Sequence, residues 1–165
     1  MTNPCSDAIT VDWLTWQPTE RAVLCFVVEN SRILLIEKKR GLGAGKVNAP
    51  GGKIELGETP LEAAIRETQE EVGVIPIGLT EAGVLRFQFK DGYALHCTVF
   101  KAKSFQGVLI ETPEATPFIV GTDEIPFERM WADDSHWVKY LLSGDYFSGA
   151  FLFDEDRMLT NEVKV

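Results

Sequence analysis

Residues 51–74, Gly-Gly-Lys-Ile-Glu-Leu-Gly-Glu-Thr-Pro-Leu-Glu-Ala-Ala-Ile-Arg-Glu-Thr-Gln-Glu-Glu-Val-Gly-Val, constrain this chain more than any other stretch. A glycine-containing loop feeds a helix whose two ends are both signalled. Thr59 is a natural N-cap, Pro60 suits the first helical position, and Gly73 supplies the stop. The spacing of Leu61, Ala64, Ile65, Thr68 and Val72 predicts the buried stripe. Arg66, Glu67, Glu70 and Glu71 lie off it. At about 100° per residue, Glu70 and Glu71 fall roughly 60° and 40° to either side of Glu67. Three carboxylates are therefore held together on a rigid support.

Like charges this close repel unless something cationic answers them. Arg66 answers part of the charge through its i+4 spacing to Glu70. The remainder has two readings. One is a solvated acidic face, the ordinary state of a Glu-rich helix surface. The other is a hard divalent ion, since Mg²⁺ takes oxygen ligands from a few carboxylates and keeps water and substrate phosphate in its shell.

The stretch resembles the Nudix box, the signature of the Nudix hydrolases. Gly52, Glu58, Arg66, Glu67, Glu70, Glu71 and Gly73 stand at the pattern's spacing. At residue frequencies of roughly 5–7%, seven fixed identities arise by chance on the order of once in 10⁸ starts. Thr68 departs from the pattern, which carries an aliphatic residue there. A bond from its hydroxyl back to the Ala64 carbonyl predicts a small stability cost and intact chemistry. The resemblance implies an α/β Nudix fold, a mixed β-sheet sandwiched between α-helices. It also divides the chain into an N-terminal arm, 1–20, and one Nudix domain, 21–165.

The rest of the chain is compatible with that fold. Its 165 residues suffice for one real core, and 45% hydrophobic content with ten Phe marks a globular chain. A net charge of −9 argues against a nucleic-acid polymer as partner but leaves room for one nucleotide arriving with its metal. Cys5, Cys25 and Cys97 have neither disulfide nor metal-ligand spacing. With no signal peptide and no membrane-length apolar run, they predict a reduced, cytoplasmic protein. Strands are predicted over 22–28, 33–36, 79–89, 93–102 and 118–120, with a hairpin over 146–153 and 157–164. A second helix is predicted over 134–142. Trp13 and Trp16, in the arm, suit packing on the domain or covering a second copy.

Between the first strand pair and the box lies Lys38-Lys39-Arg40-Gly41-Leu42-Gly43-Ala44-Gly45-Lys46. It lacks the Gly-Lys-Ser/Thr ending of a P-loop. It reads as a surface loop or as a basic cover for polyphosphate, Lys38 included.

The likeness extends over most of 22–165, toward the MutT-type branch that clears oxidised purine nucleoside triphosphates. It implies that Asn48, Asp133 and Asp134 read the base edge and that Trp131 stacks on its face, with Leu42, Phe87, Phe89 and Phe153 in the pocket. Asp133-Asp134-Ser135 would otherwise be an ordinary helix start, and Trp131 a core aromatic. The resemblance also implies Mg²⁺, with Mn²⁺ as alternative, held by Glu67, Glu70 and Glu71, and by the Gly51 carbonyl and Glu114 as further ligands. Glu58 would assist through hydrogen bonds or water, and Arg66 would orient the carboxylates. The general base is one of the box glutamates or Glu114. Leu42 and Ala49-Pro50 depart from the branch's pattern at the pocket wall, which bears on base preference.

The expected activity is metal-assisted hydrolysis of a nucleoside triphosphate to monophosphate and pyrophosphate. Two alternatives stand beside it: a Nudix hydrolase of ADP-ribose or a dinucleoside polyphosphate, and a module that senses a nucleotide without cleaving it.

Overall fold

The computed structural model describes residues 10–165. Cys5 and the start of the arm lie outside the described residues. Strands β1 (Glu20–Glu29) and β2 (Arg32–Lys38) form a hairpin on Asn30 and Ser31. The glycine loop then leads to two short strands, β3 (Val47–Asn48) and β4 (Gly51–Lys53), and to helix α1 (Pro60–Val72). After α1 come β5 (Ile75–Ile77), β6 (Thr80–Phe89), β7 (Ala94–Ala102), β8 (Ser104–Gln106) and β9 (Ala115–Gly121). Helix α2 (Asp134–Ser143) and the hairpin of β10 (Phe147–Asp154) and β11 (Arg157–Lys164) follow.

Among the described residues, one large sheet runs in the order β11-β10-β6-β7-β1-β2-β3, with β4 also on β1 and β9 also on β2. β1 lies parallel to β7 and β10 parallel to β6, while β6 and β7 are antiparallel, so the sheet is mixed. Alternation along each strand sends successive side chains to opposite faces. On one face Val23, Cys25, Val27, Leu34, Ile36 and Phe100 pack on Ala63, Ala64 and Val72 of α1. On the other, Phe26, Leu85, Val99 and Phe151 pack on Trp137, Val138 and Leu141 of α2. The sheet is thus sandwiched between two helices. Trp137 is fully buried at the centre of the second core, where truncation to Ala would cost about 3–5 kcal/mol. No described helix is long and apolar enough to cross a membrane.

α1 starts and stops where the sequence predicts. Thr59 and Glu62 form a reciprocal capping box, Pro60 opens the helix, and Gly73 ends it in the left-handed region at φ 78°. Its buried stripe is turned from the predicted one: Leu61 is 44% exposed, Ala63 is inside, and Glu71 is only 7% exposed. The connection before β9 closes over the C-terminal end of that flank. Thr112 Oγ1 donates to the Glu71 carbonyl at 2.7 Å and the Ile110 amide to the Val72 carbonyl at 3.0 Å. Thr68 bonds back to the Ala64 carbonyl at 2.7 Å, as predicted.

The described part of the arm lies against β6 and β7. Trp16 Nε1 donates to Gln88 Oε1 at 2.9 Å, Arg86 donates to the Trp13 carbonyl at 3.0 Å, and the Thr19 amide donates to the Ala94 carbonyl at 2.7 Å.

Candidate active site

Arg66 organises the carboxylates of α1. Its Nε and Nη2 fork onto Glu58 at 2.7 and 2.8 Å, its Nη1 reaches Glu67 at 2.8 Å and Glu70 at 3.3 Å, and Nη2 also donates to the Lys53 carbonyl at 3.1 Å. One guanidinium therefore ties the end of β4 and Glu58 of the following loop to Glu67 and Glu70 of α1, using the planar donor fork that Lys lacks. The bidentate bond holds the Glu58 carboxyl down at about 2. Glu67 and Glu71 move the opposite way. Burial raises Glu67, against the pull of Arg66. Burial, with Glu67 close by, pushes Glu71 up to about 8. The Gly51 amide approaches Glu71 Oε2 at 3.4 Å. A side chain at Gly52 would displace Glu67, because a Cβ there would sit 2.5 Å from the Glu67 carboxyl carbon.

A cavity opens beside this group on the α2 face of the sheet. Its lining includes Ala22, Leu24, Leu95 and Cys97 from the sheet, Leu42 and Asn48 from the glycine loop and β3, and Phe87, Phe89 and Trp131. Asp133, Asp134 and Trp137 close its inner end. Trp131 meets Phe89 edge-on at 6.1 Å and Phe153 at 5.5 Å. Trp137 Nε1 donates to Asp133 Oδ2 at 2.8 Å, whereas Asp133 Oδ1 and Asp134 Oδ2 are buried without a partner among the described residues. Burial raises both acids, and the charge of Asp133 raises Asp134 further. Neither Asp caps its helix: Asp133 occupies the N-cap position without a side-chain cap bond. Asn48 Oδ1 accepts the Ala49 amide at 2.8 Å, which leaves its NH₂ as the group to offer a ligand.

A larger cleft of about 930 Å³ continues outward from this cavity, sharing Ala22, Lys38, Leu42, Gly51, Gly52, Glu71, Phe89 and Leu95 with it. Small-molecule sites commonly span about 300–1,000 Å³. One wall carries Lys38, Arg40 and Glu114; the α1 side carries Glu67, Glu70 and Glu71; the opposite wall carries Glu20, Lys53 and Tyr93.

The structure brings most of the sequence-predicted residues into this one site. Asn48, Trp131, Asp133, Asp134, Leu42, Phe87, Phe89, Lys38 and Gly51 line the cavity, and Glu67, Glu70, Glu71 and Glu114 line the cleft. Phe153 is fully buried and stacks behind Phe89 at 5.7 Å, outside the cavity lining. Glu58 faces Arg66. Glu114 is engaged by Arg40, whose Nε donates to it at 2.9 Å. Sequence reasoning missed Trp137, although its i+4 spacing from Asp133 places both on one helix side. It also missed the floor residues Ala22, Leu24, Leu95 and Cys97, which strand alternation could have placed together.

Residues 18–141 match the model of the NUDIX domain. The chain belongs to the Nudix family, and it is a Nudix hydrolase. Within that family it is related to oxidised-purine enzymes of the MutT branch. It is 40% identical over 131 residues to an oxidized purine nucleoside triphosphate hydrolase of Danio rerio, covering 79% of this chain and 84% of the relative. It is 38% identical over 143 residues to the protein of the same name from Mus musculus, covering 86% and 92%. A mutator MutT protein from Bacillus halodurans superposes with a TM-score of 0.79 at 29% identity, covering 87% of this chain and 97% of that one.

Family membership implies dependence on a divalent metal. Among the described residues, no group of three or more His, Cys, Asp or Glu side chains is gathered closely enough to hold a metal ion. Arg66 takes one oxygen from each of Glu67 and Glu70. The donor set nevertheless fits a hard cation. Its groups are all oxygens, and Glu67 and Glu71 are both driven toward the neutral form by burial that a cation would offset.

Proposed function

We propose that the protein hydrolyses oxidised purine nucleoside triphosphates to the monophosphate and pyrophosphate with Mg²⁺. The observation that carries this reading is the cavity: an aromatic-walled slot, ended by two buried carboxyls with unpartnered oxygens, opening directly onto the glutamates of α1. Trp131 and Phe89 offer faces and edges to a flat base. The buried acids suit reading its edge, because two carboxyls with separated protonation can offer one donor and one acceptor. The names of the Danio rerio and Mus musculus relatives support the same substrate class.

In this reading Glu67, Glu70 and Glu71, with the Gly51 carbonyl and Glu114, hold the metal. When bound, Mg²⁺ supplies charge neutralisation on the phosphate oxygens and activates water. The chain's own residues do the rest. Arg66 and Glu58 fix the direction of the carboxylates, Lys38 and Arg40 add positive charge on the facing wall, and the cavity sets the nucleotide's register against them. A box glutamate or Glu114 takes the proton of the attacking water.

The test is product analysis with Mg²⁺ across dGTP, 8-oxo-dGTP, 2-oxo-dATP, dATP, ADP-ribose and a dinucleoside polyphosphate, with Glu70→Gln as blank. A preference of tenfold or more, on the order set by one good polar contact, for an oxidised purine is the expected result. Preference for ADP-ribose or the dinucleotide would overturn the base-reading role of the cavity. Binding without turnover would overturn hydrolysis itself.

A further inference from the structure

The outer wall of the cleft carries a preassembled acceptor that none of these roles uses. Glu20, Ala22 and Leu24 alternate onto one face of β1; Ala22 and Leu24 line the base cavity, while Glu20 and Ala22 line the cleft. Glu20 is thus one step outward from the cavity floor. The parallel register sets Leu95 beside Glu20, and Ala22 is paired with Lys53 of β4. Tyr93, two residues before Leu95, places its ring 5.7 Å from Phe89 and extends the aromatic wall out of the cavity.

These three side chains meet. Tyr93 Oη donates to Glu20 Oε2, and Lys53 Nζ lies 2.9 Å from Glu20 Oε1. Each carboxylate oxygen holds one donor and keeps a lone pair for another. Lys53 is fixed in turn through its carbonyl, which accepts from Arg66 Nη2 at 3.1 Å. The Glu20 side chain is 31% exposed, so its free lone pairs remain reachable from the cleft.

Any nucleotide with its base against Trp131 and its phosphates at α1 must span the cleft with its sugar. A sugar presents hydroxyl donors, and Glu20 is an ionised acceptor aimed by two partners. We propose that Glu20, held by Tyr93 and Lys53, is a specificity-determining residue that accepts a hydrogen bond from the 3′-hydroxyl of the substrate sugar. This inference rests on the nucleoside triphosphatase reading above. The contact is charge-assisted and partly solvated, so removing it should lower kcat/KM about tenfold, at the low end for hydrogen bonds to charged groups.

The experiment measures kcat/KM for dGTP, GTP and 2′,3′-dideoxy-GTP with the parent protein, Glu20→Gln and Tyr93→Phe, with circular dichroism confirming the fold of each. The parent should favour dGTP and GTP over the dideoxy form by about tenfold. Glu20→Gln should bring that ratio close to one with little change on the dideoxy substrate, and Tyr93→Phe should give a ratio in between. A parent that does not distinguish the dideoxy form overturns the inference while leaving triphosphate hydrolysis standing. Equal loss on all three substrates in Glu20→Gln also overturns it. A parent that cleaves none of the three, nor any triphosphate of the earlier panel, fails the underlying reading instead.

Discussion

The Arg40 guanidinium folds onto the Glu114 carboxylate, its Nε donating to Oε1 at 2.9 Å, and so ties the glycine loop to the connection before β9. The Lys39–Glu111 pair at 2.6 Å doubles the tie. Arg40 competes with a metal for Glu114, both of its bonds falling on Oε1. Both side chains are well exposed, at 62% and 41%, so solvent screens the pair and release costs about fivefold in affinity at most. Arg40→Gln should tighten the Mg²⁺ dependence of pyrophosphate release by less than that. Glu114→Gln should weaken it by about tenfold or more, since losing even an outer partner of a metal ligand costs about 10–100-fold. A Glu114→Gln variant with parental Mg²⁺ dependence would leave Glu114 as a partner of Arg40 alone.

Gly51 and Gly52 should fail in different ways when given a methyl group. A Cβ on Gly51 would lie 2.1 Å from the Val23 carbonyl oxygen, inside the β1–β4 pairing, where no side-chain movement can relieve it. The three atoms nearest a Cβ on Gly52 all belong to the Glu67 carboxylate, the movable end of a side chain. Gly51→Ala should lower the melting temperature by several degrees, corresponding to about 1–3 kcal/mol of overpacking. Gly52→Ala should hold its melting temperature within about 2 °C and lose about tenfold or more in kcat, since a small misplacement of a catalytic group is costly. Thermal scans beside initial rates separate the two effects.

What the sequence made legible follows the range of each interaction. α1 was readable from Thr59, Pro60 and Gly73 because caps act within one turn, and the box residues fall together because a helix fixes their spacing. β3, β4, β5 and β8 span three residues or fewer, too short to show a period, and they exist through partners distant in sequence. Glu71 is buried with Gly51, Lys38 and Glu114 around its carboxyl, all from other segments, which no pattern inside α1 could announce. Glu20, Lys53 and Tyr93 come from separate segments and meet only through strand register. The residues of the aromatic-walled cavity were named by family resemblance; the hydrogen bond from Trp137 to Asp133 was not.

Asp133 and Asp134 should matter to the base and not to the metal. Their unpartnered oxygens lie in the cavity, and leaving a buried polar group without its partner costs about 1–3 kcal/mol, or about 5–150-fold. Asp134→Asn should lower kcat/KM by that factor on the preferred oxidised purine and leave the Mg²⁺ dependence unchanged. Trp137→Phe, which frees Asp133 Oδ2, should have a smaller effect in the same direction. An equal loss for every nucleotide in the panel would remove the base-reading role.

Glu71 should make metal-free protein less stable as pH rises. Its carboxyl stands at about 8 in the folded chain against an ordinary value of 4.5, because burial and Glu67 oppose its charge. The folded state therefore holds this proton more tightly than the unfolded state does. The associated stability is complete below about pH 4.5 and is lost as pH rises through about 8. Glu67 is raised as well and acts in the same sense. Asp133 and Asp134 add a similar trend of their own, so the comparison must be with Glu71→Gln, in which only this carboxyl is gone. In EDTA the parent should lose more melting temperature between pH 6 and pH 9 than Glu71→Gln does. Mg²⁺ binds the ionised form, so its addition at pH 9 should raise the parent's melting temperature and leave the variant's nearly unchanged. Identical slopes for parent and variant in EDTA would mean that Glu71 ionises freely in the folded protein, and the case for a buried carboxylate awaiting a cation would fall.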